Sequence, residues 1–155
     1  MRGKRSKKRQ VIPDPVYKSK VVSRMINTVM ERGKKSLAVK IVYGSMEKLS
    51  DDEKERLRIF EQAVKNVMPQ QEVRSKRVGG ATYQVPMPLR HDRAEALAIR
   101  WIVESAESKK GKPMVEKLYD VLNDAYQNTG DAIKKRDEVH RMAEANRAFA
   151  HFARF

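Results

Sequence analysis

Val73 to Pro86 reads VRSKRVGGATYQVP, and these residues decide the architecture. In a chain otherwise written in helical period they carry the marks of a β-hairpin. Gly79-Gly80 supplies the pair of positive-φ residues that a tight two-residue turn needs. Beyond it, Ala81, Tyr83, Val85 and Met87 alternate with Thr82, Gln84 and Pro86, the period of two that gives a strand one apolar face. The strand leading in carries Arg74, Lys76 and Arg77 with only Glu72 beside them. Two strands of about six residues at ~3.3 Å per residue make a ribbon roughly 20 Å long, over about residues 72–88. An isolated hairpin is marginally stable in water, so a basic one is expected to stiffen against a partner, and the partner that fits is a polyanion.

Helical spacing surrounds the ribbon on both sides. Ser19 is placed to cap a first helix whose Val22, Met25, Ile26 and Val29 share a face, with Gly33 as its stop. Leu37, Ile41, Ser45 and Leu49 form the stripe of a second. Ser50-x-x-Glu53 reads as a capping box opening a third, which buries Leu57, Phe60, Val64 and Val67 before Pro69 ends it. After the ribbon, Asp92-x-x-Glu95 resembles another capping pair, ahead of Leu97, Ala98, Trp101, Ile102 and Ser105. Pro113 starts a fifth helix with Met114, Leu118, Val121, Leu122 and Ala125 inward. Thr129-Gly130-Asp131 separates it from a sixth, carrying Val139, Met142, Ala143 and Phe149. The expected fold is mainly α: six helices in a single domain, residues 13–155, with a protruding two-stranded hairpin between the third and fourth. No repeat of fixed period is present, which argues against a solenoid.

Charge points the same way as the ribbon. Over 155 residues, 34 Lys and Arg face 20 Asp and Glu, a net charge of +14. Such an excess repels itself in a compact chain and is usually offset by bound phosphates or anionic lipid. It is also unevenly placed. Residues 1–35 hold twelve Lys or Arg against Asp14 and Glu31 alone, whereas the segment after Ser50 is mixed in sign. Residues 1–12 form a basic arm, with Arg2, Lys4, Arg5, Lys7, Lys8 and Arg9 and too little apolar content to pack; like-charge blocks of this kind settle on nucleic acid. Pro13 and Pro15 mark a stiff, extended entry to the domain.

Several chemistries are set aside. Without cysteine there is neither a disulfide staple nor a thiolate metal site. No run approaches the ~18 apolar residues of a membrane span, and the basic start is not followed by the apolar stretch of a signal peptide. His140 and Glu144 stand one helical turn apart, but two ligands do not make a metal centre, and a helix face salted with His and Arg explains them. Gly79-Gly80 and Gly33-Lys34-Lys35 match no phosphate loop. No Ser or Thr sits beside a plausible histidine base, so neither enzymatic activity nor a cofactor is expected. Trp101 shares the stripe of Leu97, Ala98 and Ile102 and is expected in the core. Tyr83 is open between packing on the domain and stacking on a base.

The segments Gly33 to Ala38, Val73 to Met87, AlaLeuAlaIleArgTrp at 96–101 and HRMAEANRAFAHF from His140 to Phe152 resemble, in order, the bacterial-type small-subunit ribosomal protein seven family. The resemblance covers nearly the whole length. It implies a structural constituent of the small ribosomal subunit that binds the 3′ major domain of its ribosomal RNA, starts assembly of the head, and lies near the exit-site transfer RNA and the messenger RNA path. Carried over residue by residue, the basic arm, Lys18, Lys20 and Arg24 on the first helix, and Lys34 and Lys35 would hold ribosomal RNA, with Arg74, Lys76 and Arg77 of the ribbon. Arg77, Val78, Gly79, Gly80 and Ala81 at the tip, with Arg141, Asn146 and Arg147 on the last helix, would lie towards transfer RNA and messenger RNA. Other head and platform proteins would be neighbours, in the cytoplasm or a plastid stroma. The acidic run Asp51–Glu55 is expected on the solvent side, and no long extension is expected beyond Phe155. Two further readings of the charge are an architectural DNA-binding protein with a basic β-arm and a peripheral membrane protein. The first lacks an apolar wedge at the tip, and the second lacks a lipidation signal or an amphipathic helix beside the arm.

Overall fold

The computed structural model describes residues 10–154, together with Gly3 and Ser6. Arg2, Lys4, Arg5, Lys7, Lys8 and Arg9 lie outside the described residues. Six α-helices, a two-stranded antiparallel sheet and one 3-10 helix follow in the order α1 (Lys20–Val29), α2 (Lys35–Glu47), α3 (Glu53–Val67), β1 (Gln71–Val78), β2 (Ala81–Pro88), α4 (His91–Ser108), α5 (Met114–Tyr126), α6 (Asp131–Ala145) and the 3-10 helix Arg147–Arg154. The ribbon has the register expected of a two-residue turn: Val78 pairs with Ala81 and Gln71 with Pro88. Gly79 and Gly80 take φ of 57° and 90°, a pair of left-handed conformations that side chains with a Cβ adopt poorly. Leu89 N–H donating to the Gln70 carbonyl at 3.0 Å closes the base of the ribbon.

Helices α1, α3, α5 and α6 pack against α4, which buries residues on much of its circumference, among them Ala94, Leu97, Ala98, Ile99, Ile102, Val103 and Ala106. Val22, Met25, Ile26 and Val29 of α1 are all buried, as their spacing predicts. The buried stripe of α2 is instead Ala38, Val42, Ser45 and Met46, turned by one position from the predicted one, and Leu37 is left 51% exposed. The reason is close approach. A Cβ on Gly44 would meet Val115 Cγ1 at 3.3 Å, so the smallest residues, not the largest, decide which side of α2 faces α5. Trp101 is half-buried at the rim of the core instead of inside it.

Neither capping pair forms as written. α3 starts at Glu53 with Asp52 before it, and Ser50 Oγ accepts the Asp52 N–H at 3.3 Å. α4 starts at His91, and Glu95 is drawn inward to Arg24. The sixth helix is also shorter than its expected stripe. It ends at Ala145, buries Ala132, Ile133 and Ala143, and leaves Met142 53% exposed; Phe149 belongs to the 3-10 helix. At the α5–α6 corner Gly130 has φ +88°, and a Cβ there would lie 2.8 Å from Asp124 Cβ.

The ribbon is exposed at its tip but braced along its length. β1 lies along α6, and β2 lies along the 3-10 helix. Val85 is fully buried near the base. The partner that stiffens the hairpin is therefore, in the first instance, this chain itself.

Candidate nucleic-acid interface

The entry segment fixes where the basic arm meets the domain. The Asp14 carboxylate is 4% exposed and accepts the N–H groups of Val16 and Tyr17 at 3.1 and 3.0 Å. Both of its oxygens also accept the Tyr43 hydroxyl at 2.8 Å. Burial, reinforced by the neighbouring carboxylate, pushes the Tyr43 hydroxyl up to about 12. Lys18, in a left-handed turn at φ 51°, follows directly and is exposed.

α1 continues from this anchor. Lys20 is exposed at its first position, one turn before Arg24. Arg24 is not a free cation. Its Nη1 donates to Glu95 Oε1 at 2.6 Å, and the Glu95 side chain is 7% exposed while that of Arg24 is 31% exposed. His91 Nδ1 stands 3.8 Å from the other Glu95 oxygen. Grooves run on either side of α1. One, of about 260 Å³, lies between α1 and α4, lined by Arg24, Asn27, Thr28, Ala96, Ile99 and Arg100. The other, of about 530 Å³, brings the entry segment together with Asn27 and Lys35. Lys34 and Lys35 are exposed at the start of α2, where no acidic residue offsets them in the first turn. Cations at a helix N-terminus oppose its dipole, and an anion bound there would relieve them.

The three ribbon cations differ sharply. Arg74 binds Glu72 Oε1 through Nε at 2.6 Å, and Arg93 of α4 reaches the second Glu72 oxygen at 3.3 Å. Lys76 Nζ donates to the Phe152 carbonyl at 3.0 Å. Arg77 is exposed and has no ion pair or side-chain hydrogen bond among the described residues. Val78 is half-buried; Gly79, Gly80 and Ala81 are exposed, and Cβ atoms at the two glycines would meet nothing within 4 Å. Tyr83 packs on the domain, its ring centroid 5.3 Å from that of Phe149 and 4.8 Å from that of Phe152.

At the end of α6, Arg141 is exposed. Asn146 Nδ2 donates to the Met142 carbonyl at 2.8 Å, capping the helix, and Arg147 pairs with Glu144 at 3.2 Å. The elements that carry these residues flank the ribbon. Two shared carboxylates join the groups into one path. Glu95 links α1 to the first turn of α4, and Glu72 links that same turn, through Arg93, to Arg74 of the ribbon. Arg93 and Arg100 were not singled out as binding residues from the sequence, although with Ala96 they form an exposed stripe of α4.

The remaining features are structural. His140 Nε2 accepts the Gln70 N–H at 3.0 Å, tying α6 to the ribbon base. Among the described residues no group of three or more His, Cys, Asp or Glu side chains could hold a metal ion, and no helix is long and apolar enough to cross a membrane. Asp51, Asp52 and Glu53 are exposed.

A compact helical domain with an excess of positive charge, a β-ribbon and cation-lined grooves defines a class of polyanion-facing proteins. Comparison with known proteins narrows it. The family described as ribosomal protein S7p/S5e matches residues 1–147. The small ribosomal subunit proteins uS7 of Fervidobacterium nodosum and Thermosipho africanus are each 58% identical over 98% of this chain and 99% of their own. That of Pelotomaculum thermopropionicum is 55% identical over 94% of each. The chain belongs to the ribosomal protein S7p/S5e family, a structural family and not an enzymatic one.

Proposed function

We propose that this chain is a structural constituent of the small ribosomal subunit that binds the 3′ major domain of the subunit's RNA directly and starts assembly of its head, working in the cytoplasm. The observation that carries the reading is α1, whose outer face of Lys20, Arg24 and Asn27 is bordered by Lys35 on one side and Arg100 on the other. Phosphate oxygens are met by side chains of this kind, and such contacts set register without reading sequence. The RNA-holding set is Lys18, Lys20, Arg24, Lys34 and Lys35 with the arm residues Arg2, Lys4, Arg5, Lys7, Lys8 and Arg9, joined by Arg74, Lys76 and Arg77. Arg24 and Arg74 keep part of their charge engaged with Glu95 and Glu72, so they act as fixed, oriented donors. The ribbon tip, Arg77 to Ala81, and the end of α6, with Arg141, Asn146 and Arg147, lie towards the exit-site transfer RNA and the messenger RNA path. Head and platform proteins are the protein neighbours.

The test is binding of the full chain to an RNA fragment of the 3′ major domain and to duplex DNA of equal length, each over a series of salt concentrations. Tighter binding to the RNA at every salt concentration is expected. Equal affinity for the duplex would favour the reading as an architectural DNA-binding protein.

A further inference from the structure

The 3-10 helix Arg147–Arg154 is eight residues long, whereas such helices rarely persist beyond three or four residues because their hydrogen bonds are poorly aligned. Something outside the helix holds it. With three residues per turn, positions i and i+3 stand directly above one another, separated by about 6 Å of rise. Phe149 and Phe152 occupy two such positions. Their rings lie 6.4 Å apart at 18° to one another, a separation close to one 3-10 turn. Tyr83 of β2 touches both, at 5.3 and 4.8 Å. From the opposing strand Lys76 donates to the Phe152 carbonyl at 3.0 Å, so both strands of the ribbon are engaged by the same turn.

We propose that this two-rung phenylalanine ladder is a clasp that sets the direction of the ribbon, with Phe149 and Phe152 as positioning residues for the tip. The 3-10 geometry and the ribbon stabilise each other. The ladder needs Tyr83 to be held in register, and Tyr83 lies beyond the buried Val85 on the way to the tip. The clasp belongs to the free protein and does not depend on which polyanion the tip meets.

The test is hydrogen–deuterium exchange on the full, unbound chain. In the double variant Phe149→Ala, Phe152→Ala, the amides of Arg74 to Gln84 should exchange about tenfold faster, the effect of losing two aromatic pairs. Core amides of α4 and α5 should keep their protection, which shows in the same measurement that the domain is folded. Coupling is reciprocal, so Tyr83→Ala should release the amides of Arg147 to Ala153, and Tyr83→Phe should restore them. Ribbon protection unchanged in the double variant would overturn the proposal. So would a 3-10 helix that stays protected in Tyr83→Ala, or loss of protection spread equally over α4 and α5.

Discussion

Arg24 and Lys20 stand one turn apart on α1 and have the same appearance in the sequence, yet they should respond differently to removal. Lys20→Ala takes an exposed charge from the surface and should change stability by no more than roughly 0.5 kcal/mol. Arg24→Ala leaves the buried Glu95 carboxylate without its donor and should cost about 1.5–3 kcal/mol, the usual worth of a hydrogen bond to a charged group. Thermal melts of the two variants check this, and equal effects would mean that Arg24 is only a surface cation. Tyr43 offers a second check, through pH. Its hydroxyl is held up to about 12 by burial and the Asp14 carboxylate, above the ~10 of an unfolded tyrosine. Between these values the unfolded chain releases a proton that the folded chain keeps. The contribution of Tyr43 is therefore fully present below about pH 10 and is lost as pH rises towards 12. Tyr43→Phe should remove that part of the alkaline decline in melting temperature, whereas a decline identical in both proteins would show that the hydroxyl is not responsible.

At the scale of elements, the ribbon separates binding from folding. Arg77 is uncommitted, so Arg77→Gln should leave stability unchanged within about 0.5 kcal/mol and weaken RNA binding. Lys76→Met should also loosen the 3-10 helix, because its ammonium is engaged by the Phe152 carbonyl. Filter binding and melts on the two variants distinguish the roles. The ribbon itself was legible in the sequence, since two adjacent glycines and strict alternation leave few other structures possible. So was α1, where four large apolar residues agree on one face. The face that α2 buries is one position away from its stripe of large apolar residues because Gly44 acts by being small, next to Val115. The break between α6 and the 3-10 helix was missed for a related reason. Phe149 and Phe152 suit a helix of either pitch, and the groups that meet the change of pitch, the Asn146 side chain on the Met142 carbonyl and Tyr83 on the two rings, are not adjacent in the pattern of apolar residues. Within the site, the exposed cations were legible from charge. The engagement of Arg24 was not, because its partner lies 71 residues along the chain.

Across the whole molecule, a net charge of +14 pulls stability and binding in opposite directions as salt is added. Raising ionic strength from about 0.01 to 0.15 M shortens the Debye length from about 30 to 8 Å and screens self-repulsion, so the melting temperature of the free chain should rise. Over the same range RNA affinity should fall, with a log–log slope of about −0.7 to −0.9 per phosphate neutralised. Removing residues 1–10, which carry six Lys and Arg, should make that slope shallower while the melting temperature stays the same or rises. An unchanged slope would take the arm out of the interface. The ribbon ends on a different note from this charge-rich body, because its foremost two residues have no side chains at all. Peptide groups tell one nucleobase from another poorly. Any strand passing that end would be registered as an obstacle with a position, and its spelling would go unread.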